Sequence, residues 1–261
     1  MKRLFLTLTM TALFSSVIFA ADSPGEYFSK SNSANTTKVD HSIFGDLLNL
    51  YLDDTNGSGI NRFNYSAMSA GDLRQLGNYL RAMEKIKVTS LSKNEQMAFW
   101  INLYNAVTLK VILDNYPLDS IRDISSGFFS SGPWKLKLIA VEGYELTLNQ
   151  IEHEILRPIW RDKRIHYAVN CASLGCPNLQ SIPFTGENFD EMLEKSANEY
   201  INHKRGVNVD GNTLRLSSIY KWYDEDFGTK QNLLEHLAEY STGSKQETLL
   251  NWKGSIKYDY N

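Results

Sequence analysis

Residues 92–113 read SKNEQMAFWINLYNAVTLKVIL, the longest periodic stretch in the chain. Ser92 followed three positions later by Glu95 has the pattern of a reciprocal helix cap. Beyond it, Met97, Phe99, Trp100, Ile101, Leu103, Tyr104, Val107, Leu109, Val111, Ile112 and Leu113 cover nearly every side of a helix. A helix apolar all round must be buried on all sides. This predicts a central helix around which the other elements pack. Asn102 and Asn105 interrupt its apolar surface on neighbouring positions. A buried amide left unpaired costs about 1–3 kcal/mol, so each needs partners. Either they fasten a neighbouring loop, or they belong to a site.

Outward from this helix the periodicity alternates between helix and strand. His41–Tyr51 and Asp72–Met83 carry helical spacing, as do Asp190–His203 and Asn232–Tyr240, the last read as the final helix. Residues 136–148 alternate around Glu142-Gly143 and residues 207–217 turn at Asp210-Gly211-Asn212, two hairpin patterns. A short helix begins near Thr147, with Gln150 as its reciprocal cap, and is expected to stop near Arg157 because Pro158 follows. Arg164–Asn170 reads as a buried strand. These expectations add up to an α+β fold: one domain over residues 41–261, with a central buried helix, flanking helices and antiparallel hairpins. Residues 22–40, polar and rich in Ser, Asn and Thr, read as a flexible leader.

The composition narrows the function classes. Of 261 residues, 42% are hydrophobic and 22% charged, which suits a globular core and excludes a disordered chain. The net charge of −3 lacks the basic excess of a general nucleic-acid binder. Lys2 and Arg3 precede an uncharged apolar stretch, residues 4–20, that ends in small residues. That is the layout of a secretory signal, with cleavage expected after Ala20 or Ala21. Cleavage removes two positive charges and leaves no later segment long and apolar enough to span a membrane. The expected location is therefore outside the cytoplasm, periplasmic or secreted, where disulfides persist.

Two segments carry candidate chemistry. Ile151-Glu152-His153-Glu154 places an imidazole off the apolar stripe of its helix, beside a carboxylate. Adjacent helical residues do not face each other, so Glu152 need not orient His153. The second segment is His166-Tyr167-Ala168-Val169-Asn170-Cys171-Ala172-Ser173-Leu174-Gly175-Cys176-Pro177. A cysteine entering a small-residue loop is a plausible exposed nucleophile, since free backbone N–H groups lower a thiol pKa and hold an oxyanion. Three other readings stand beside it: a Cys171–Cys176 disulfide, a small buried apolar residue, and a metal site of His153, His166, Cys171 and Cys176. The metal spacing matches no common zinc pattern.

Together, AFWINLYNA, LNQIEHEILR and RIHYAVNCASLGCP resemble the DUF547 family of uncharacterised domains. Further matching blocks are Leu216–Tyr223, Asp226-Phe227-Gly228 and the closing Ile256–Asn261. The resemblance brings no established activity. It implies that plant members keep cysteine at the position of Cys171 and carry serine at that of Cys176, so the fold does not require a disulfide there. It thereby raises a site role for Cys171 with His153. The resulting expectation is a thiol-dependent hydrolase or acyl transferase, compared in fold and site with papain and transglutaminase. Cys171 is the nucleophile, His153 the base, and Asn105 or Glu152 the group that orients the imidazole. The substrate class is an amide, ester or thioester of a small molecule or peptide, with no cofactor and no metal. The alternatives are a non-catalytic envelope binding domain lined by Trp100, Tyr104, Trp222 and Tyr223, and a thiol-redox protein.

Overall fold

The computed structural model describes residues 22–124 and 132–260. The expected signal segment lies outside the described residues. The central helix, α4 (Lys93–Asn115), is buried from Glu95 through Leu109 without a break. Ser92 caps it by accepting the Glu95 N–H at 3.4 Å. Glu95 does not return the cap. Its carboxylate instead accepts Val39 N–H at 2.7 Å and Gly186 N–H at 3.0 Å, tying two distant chain segments to the start of the helix.

Around α4 the chain lays α1 (Pro24–Phe28), α2 (Ser42–Tyr51) and α3 (Ala70–Met83), then later α6 (Phe189–Asn202). The stretch 22–40 is not the flexible leader its composition suggests. Phe28 is fully buried, its ring 4.8 Å from that of Trp100, and Gln96 donates to the Lys30 carbonyl at 2.6 Å. A polar average concealed one aromatic anchor, and burying a Phe side chain contributes about 1.5–3 kcal/mol.

The strands are short. β1 (Leu52–Asp53) pairs with β2 (Arg62–Phe63), and β3 (Ile139–Val141) with β4 (Tyr144–Leu146), both antiparallel. Glu142 (φ 46°) and Gly143 (φ 85°) make the two-residue turn between β3 and β4, both left-handed as such hairpins require. β5 (Val207–Asp210) and β6 (Thr213–Ser217) form the second expected hairpin. The fold is α+β, as expected, but its C-terminal end was underread. After α7 (Ile219–Trp222), α8 (Asp224–Phe227) and α9 (Lys230–Glu239) comes a further helix, α10 (Gly243–Leu250). Then β7 (Ser255–Asp259) pairs parallel with β6, setting Leu216 opposite Tyr258 and Ser217 opposite Asp259. A parallel partner reached across four helices leaves no local turn signal.

Two apolar clusters result, one around α4 and one around Tyr200, Leu214, Leu216 and Leu237. The segment before Cys171 runs between them: Ile165, Ala168 and Val169 belong to the first and Tyr167 to the second. It is not a strand. Lys163–Tyr167 is a 3-10 turn, begun by Asp162 accepting the Arg164 N–H at 2.9 Å. Apolar residues there are buried on two sides, which mimics the pattern of a buried strand. Among the described residues no helix is long and apolar enough to cross a membrane.

The helix after Thr147 has the expected cap: Thr147 and Gln150 exchange bonds of 3.2 and 3.1 Å. It does not stop at Arg157. A π-helical turn over Gln150–Leu156 runs into α5 (Arg157–Trp160), which ends at Arg161 in the left-handed region (φ 52°). Pro158 has no N–H for the carbonyl four residues back, that of Glu154. That carbonyl faces Gly25 of α1 so closely that a Cβ on Gly25 would lie 2.1 Å from its oxygen. Backbone meets backbone at this point, and no side-chain rotation relieves it. Gly25→Ala is therefore expected to destabilise the protein by about 1–3 kcal/mol, as overpacking does. Gly71→Ala, whose Cβ meets only the Ser69 Oγ at 3.5 Å and an arginine tip at 3.9 Å, is the control expected to lack this effect. Urea melts of the two variants check this.

Candidate active site

The two asparagines of α4 do the same work on different loops. Asn105 donates to the Ala168 carbonyl at 2.9 Å and accepts the Asn170 N–H at 2.8 Å. Asn102 donates to the Phe184 carbonyl at 2.7 Å and accepts the N–H of the same residue at 3.0 Å. Each amide offers a donor and an acceptor side by side, as a neighbouring strand would. The expectation that Asn105 orients the His153 imidazole is corrected accordingly: both faces of its amide hold the backbone that leads into Cys171. Asn170 continues the pattern, accepting Ala172 N–H at 2.7 Å and donating to the Pro177 carbonyl at 2.7 Å. These bonds close the loop 170–177 upon itself.

Cys171 and Cys176 are joined in a disulfide across that loop. The nucleophile expected at Cys171 is thus not a free thiol in this state. Cys176 is only 2% exposed, whereas Cys171 is partly accessible. The Cys171 N–H donates to Cys176 Sγ at 3.2 Å. The Tyr260 hydroxyl lies 3.2 Å from Cys171 Sγ and 3.1 Å from Cys176 Sγ. Ala172, next in the chain, takes a left-handed conformation (φ 59°) that non-glycine residues seldom adopt.

The π turn supplies the other half of the site. It turns Glu152 inward, 4% exposed, and leaves the His153 side chain about one-third exposed. The hydroxyls of buried Tyr104 and half-buried Tyr223 both face Glu152. Burial raises their pKa values first, and the Glu152 charge raises them further. Burial also raises that of Tyr260, with Glu152 acting in the same direction. Glu152 Oε1 is 3.9 Å from His153 Nδ1, beyond hydrogen-bond length. The nearer partner of that nitrogen is Arg157 Nη1 at 3.3 Å. Arg157 Nε in turn donates to Asp226 Oδ2 at 2.6 Å, and His166 Nε2 meets the same oxygen at 2.6 Å. Burial alone would raise the Asp226 pKa, but the bonds from His166 and Arg157 outweigh it and hold the carboxyl well below its ordinary value. The His166 ring stacks on Tyr223 with centroids 4.1 Å apart.

The sequence-predicted residues are therefore brought together in part. Among the described residues no hydrogen bond joins Cys171 to His153. Tyr260 touches the sulfurs and feels the charge of Glu152, which links the two halves. The four-ligand metal reading does not form: the sulfurs are bonded to each other and His166 Nε2 is bonded to Asp226. Among the described residues no group of His, Cys, Asp and Glu could hold a metal ion. Sequence reasoning missed Arg157, Asp226 and Tyr260. Each lies in a quoted family block, yet only the fold shows what it touches.

Residues 88–201 match the family model described as "Protein of unknown function, DUF547". The match supports a DUF547 domain assignment over those residues. The matched residues include both asparagine clamps, the π turn and the disulfide loop. They exclude Tyr223, Asp226 and Tyr260, which complete the site from the C-terminal side. No curated protein matches the chain, and no solved structure does.

Removing the clamp tests its role. Asn105→Ala leaves the Ala168 carbonyl and Asn170 N–H unpaired, an expected loss of about 1–3 kcal/mol. Asn105→Asp should be at least as harmful, because it sets a charged acceptor against the Ala168 carbonyl in a buried place. Guanidinium melts of both variants measure this, and melts matching the wild type would refute the clamp.

Proposed function

We propose that the chain is an exported thiol-dependent hydrolase or acyl transferase for an amide, ester or thioester. Its nucleophile is Cys171, held in reserve as the disulfide with Cys176. The observation that carries this reading is the position of Cys171 Sγ. Cys171 is the less buried residue of the disulfide, in a clamped loop, and its sulfur lies beside the Tyr260 hydroxyl, which in turn feels the Glu152 charge. A dithiol reductant opens the disulfide by exchange, giving two cysteine thiols and an oxidised reductant. The Cys171 thiolate then attacks the acyl carbon and forms a thioester. The leaving amine, alcohol or thiol departs with the proton that the thiol gave up. Water, or an acceptor nucleophile, cleaves the thioester and restores the thiol. A hydroxyl donating to the sulfur favours the thiolate that this attack needs. What the resemblance implies for plant members, cysteine at the position of Cys171 and serine at that of Cys176, fits a working Cys171 and an added lock.

One observation favours a second reading, thiol-disulfide exchange: an accessible Cys171 paired with a buried Cys176 has the asymmetry of an attacked and a resolving sulfur.

The exported chain decides between them. Its intact mass should begin at Ala21 or Asp22. Iodoacetamide should label Cys171 only after reduction in the wild type, and without reductant in Cys176→Ser. Reduced wild type and Cys176→Ser should hydrolyse a chromogenic acetyl thioester, and Cys171→Ser should not. A Cys176→Ser protein that labels at Cys171 yet turns over no acyl substrate above Cys171→Ser overturns the hydrolase reading. If the wild type then reoxidises a reduced test protein, exchange replaces it.

A further inference from the structure

His153 is flanked by two groups that make opposite demands on its ring. A carboxylate at Nδ1 requires Nδ1–H and leaves Nε2 bare, the form a general base needs. A guanidinium has only donors, so a ring nitrogen facing it must accept. At His153 the guanidinium is the closer group, 3.3 Å from Nδ1 against 3.9 Å for the Glu152 carboxylate. A neutral ring accepting at Nδ1 carries its one proton on Nε2.

The guanidinium is not a mobile surface group. Arg157 follows His153 by four residues in the same helical segment, which places the two side chains on one face. Its Nε is bonded to Asp226 at 2.6 Å, and its guanidinium carbon lies 5.0 Å from the centre of the Tyr223 ring. Asp226 is itself held by His166 Nε2 at 2.6 Å. The charged and titratable groups that act on the ring are Glu152, Arg157, His166 and Asp226, and Tyr223 lies beside it with ring centroids 5.9 Å apart. Burial lowers the His153 pKa, with Arg157 and His166 acting the same way, against the opposing pull of Glu152 and Asp226. Burial and the facing guanidinium both favour the neutral ring. Its Nε2 has no hydrogen-bond partner among the described residues, on a side chain that keeps about a third of its surface open.

We infer that His153 serves the site as a neutral hydrogen-bond donor through Nε2, that Arg157 and Asp226 are the positioning residues that fix this tautomer, and that the ligand group it takes is an acyl carbonyl oxygen. This rests on the reading of Cys171 as an acyl-transfer nucleophile for the ligand, but not for the tautomer. A neutral imidazole donor is a known device for polarising a carbonyl. The oxygen gains charge as the thiolate adds, so the N–H bond strengthens toward the transition state. The role expected from sequence, His153 as base, requires the proton on the other nitrogen.

The test is a long-range proton–nitrogen NMR correlation on the nitrogen-15-labelled exported chain at pH 7. The expected His153 pattern is a bare Nδ1 and a protonated Nε2. A protonated Nδ1, an even mixture or a doubly protonated ring overturns the proposal, whatever the enzyme assay shows. Arg157→Gln and Asp226→Asn should mix the tautomers, while Arg157→Lys, still a donor, should restore the wild-type pattern. An unchanged pattern in folded Arg157→Gln removes Arg157 as the positioning residue. In thioester turnover His153→Gln, which keeps an N–H near the Nε2 position, should retain activity within about tenfold of wild type. His153→Ala should lose about 100-fold or more, the usual scale for one such donor. Equal losses in both overturn the donor role. No turnover even in reduced Cys176→Ser marks failure of the acyl-transfer reading, and the spectrum still decides the tautomer.

Discussion

The site depends first on the Asn105 amide. Ala168, buried, and Asn170, half-buried, lie in a segment with no sheet partner, so their backbone groups need partners from elsewhere. Asn105 supplies a donor and an acceptor from a helix that packing holds on every side. A loop anchored to a buried helix inherits that helix's rigidity. Cys171 follows Asn170 directly, so its position is fixed by α4 rather than by its own exposed neighbours. The same device at Asn102 fixes Phe184. The structure thus uses side-chain amides where other folds use a strand, which is why so few strands position so much loop.

Much of this was legible. The apolar run from Met97 to Leu113 admits only a buried helix, and the need of a buried amide for partners follows from elementary energetics. The Glu142-Gly143 turn and the Thr147–Gln150 cap follow from local chemistry alone. What stayed hidden is non-local or depends on competition. Nothing near Tyr260 announces that β7 returns parallel to β6 and delivers it to the sulfurs. Phe28 is one residue in a polar stretch, and its pocket is made by Trp100 and Tyr144 far along the chain. Pro158 reads as a stop, yet a π turn runs into α5, which contains it, with Gly25 of another helix set against the Glu154 carbonyl that Pro158 has no N–H to bond. Ser92 and Glu95 have the spacing of a reciprocal cap, but Glu95 is claimed by Val39 and Gly186.

The π turn also sets how the side chains of the site face. A turn widened by one residue shifts the angular position of every side chain after it, so faces assigned from a 3.6-residue period slip. The segment carries both the inward Glu152 and the outward His153, and its continuation through Pro158 keeps Arg157 in helical reach of His153. A helix that ended where the proline suggests would release Arg157 from that position. The backbone irregularity and the electrostatic pairing therefore have one origin.

Sequence adjacency makes Glu152 and His153 look like a carboxylate–imidazole pair, and the geometry argues otherwise. Consecutive helical residues diverge, and the carboxylate is turned toward the hydroxyls of buried Tyr104 and half-buried Tyr223. A buried carboxylate needs donors, and the two phenols that face it are donors of that kind without being cations. Arg157 bonds the other carboxylate, Asp226, through Nε, and its Nη1 falls to His153. Each acid has a different set of donors, and the imidazole is left with the arginine. The tautomer of His153 is thus the outcome of how two carboxylates, two phenols, one arginine and His166 divide their hydrogen bonds, a division that no pair of neighbouring letters encodes.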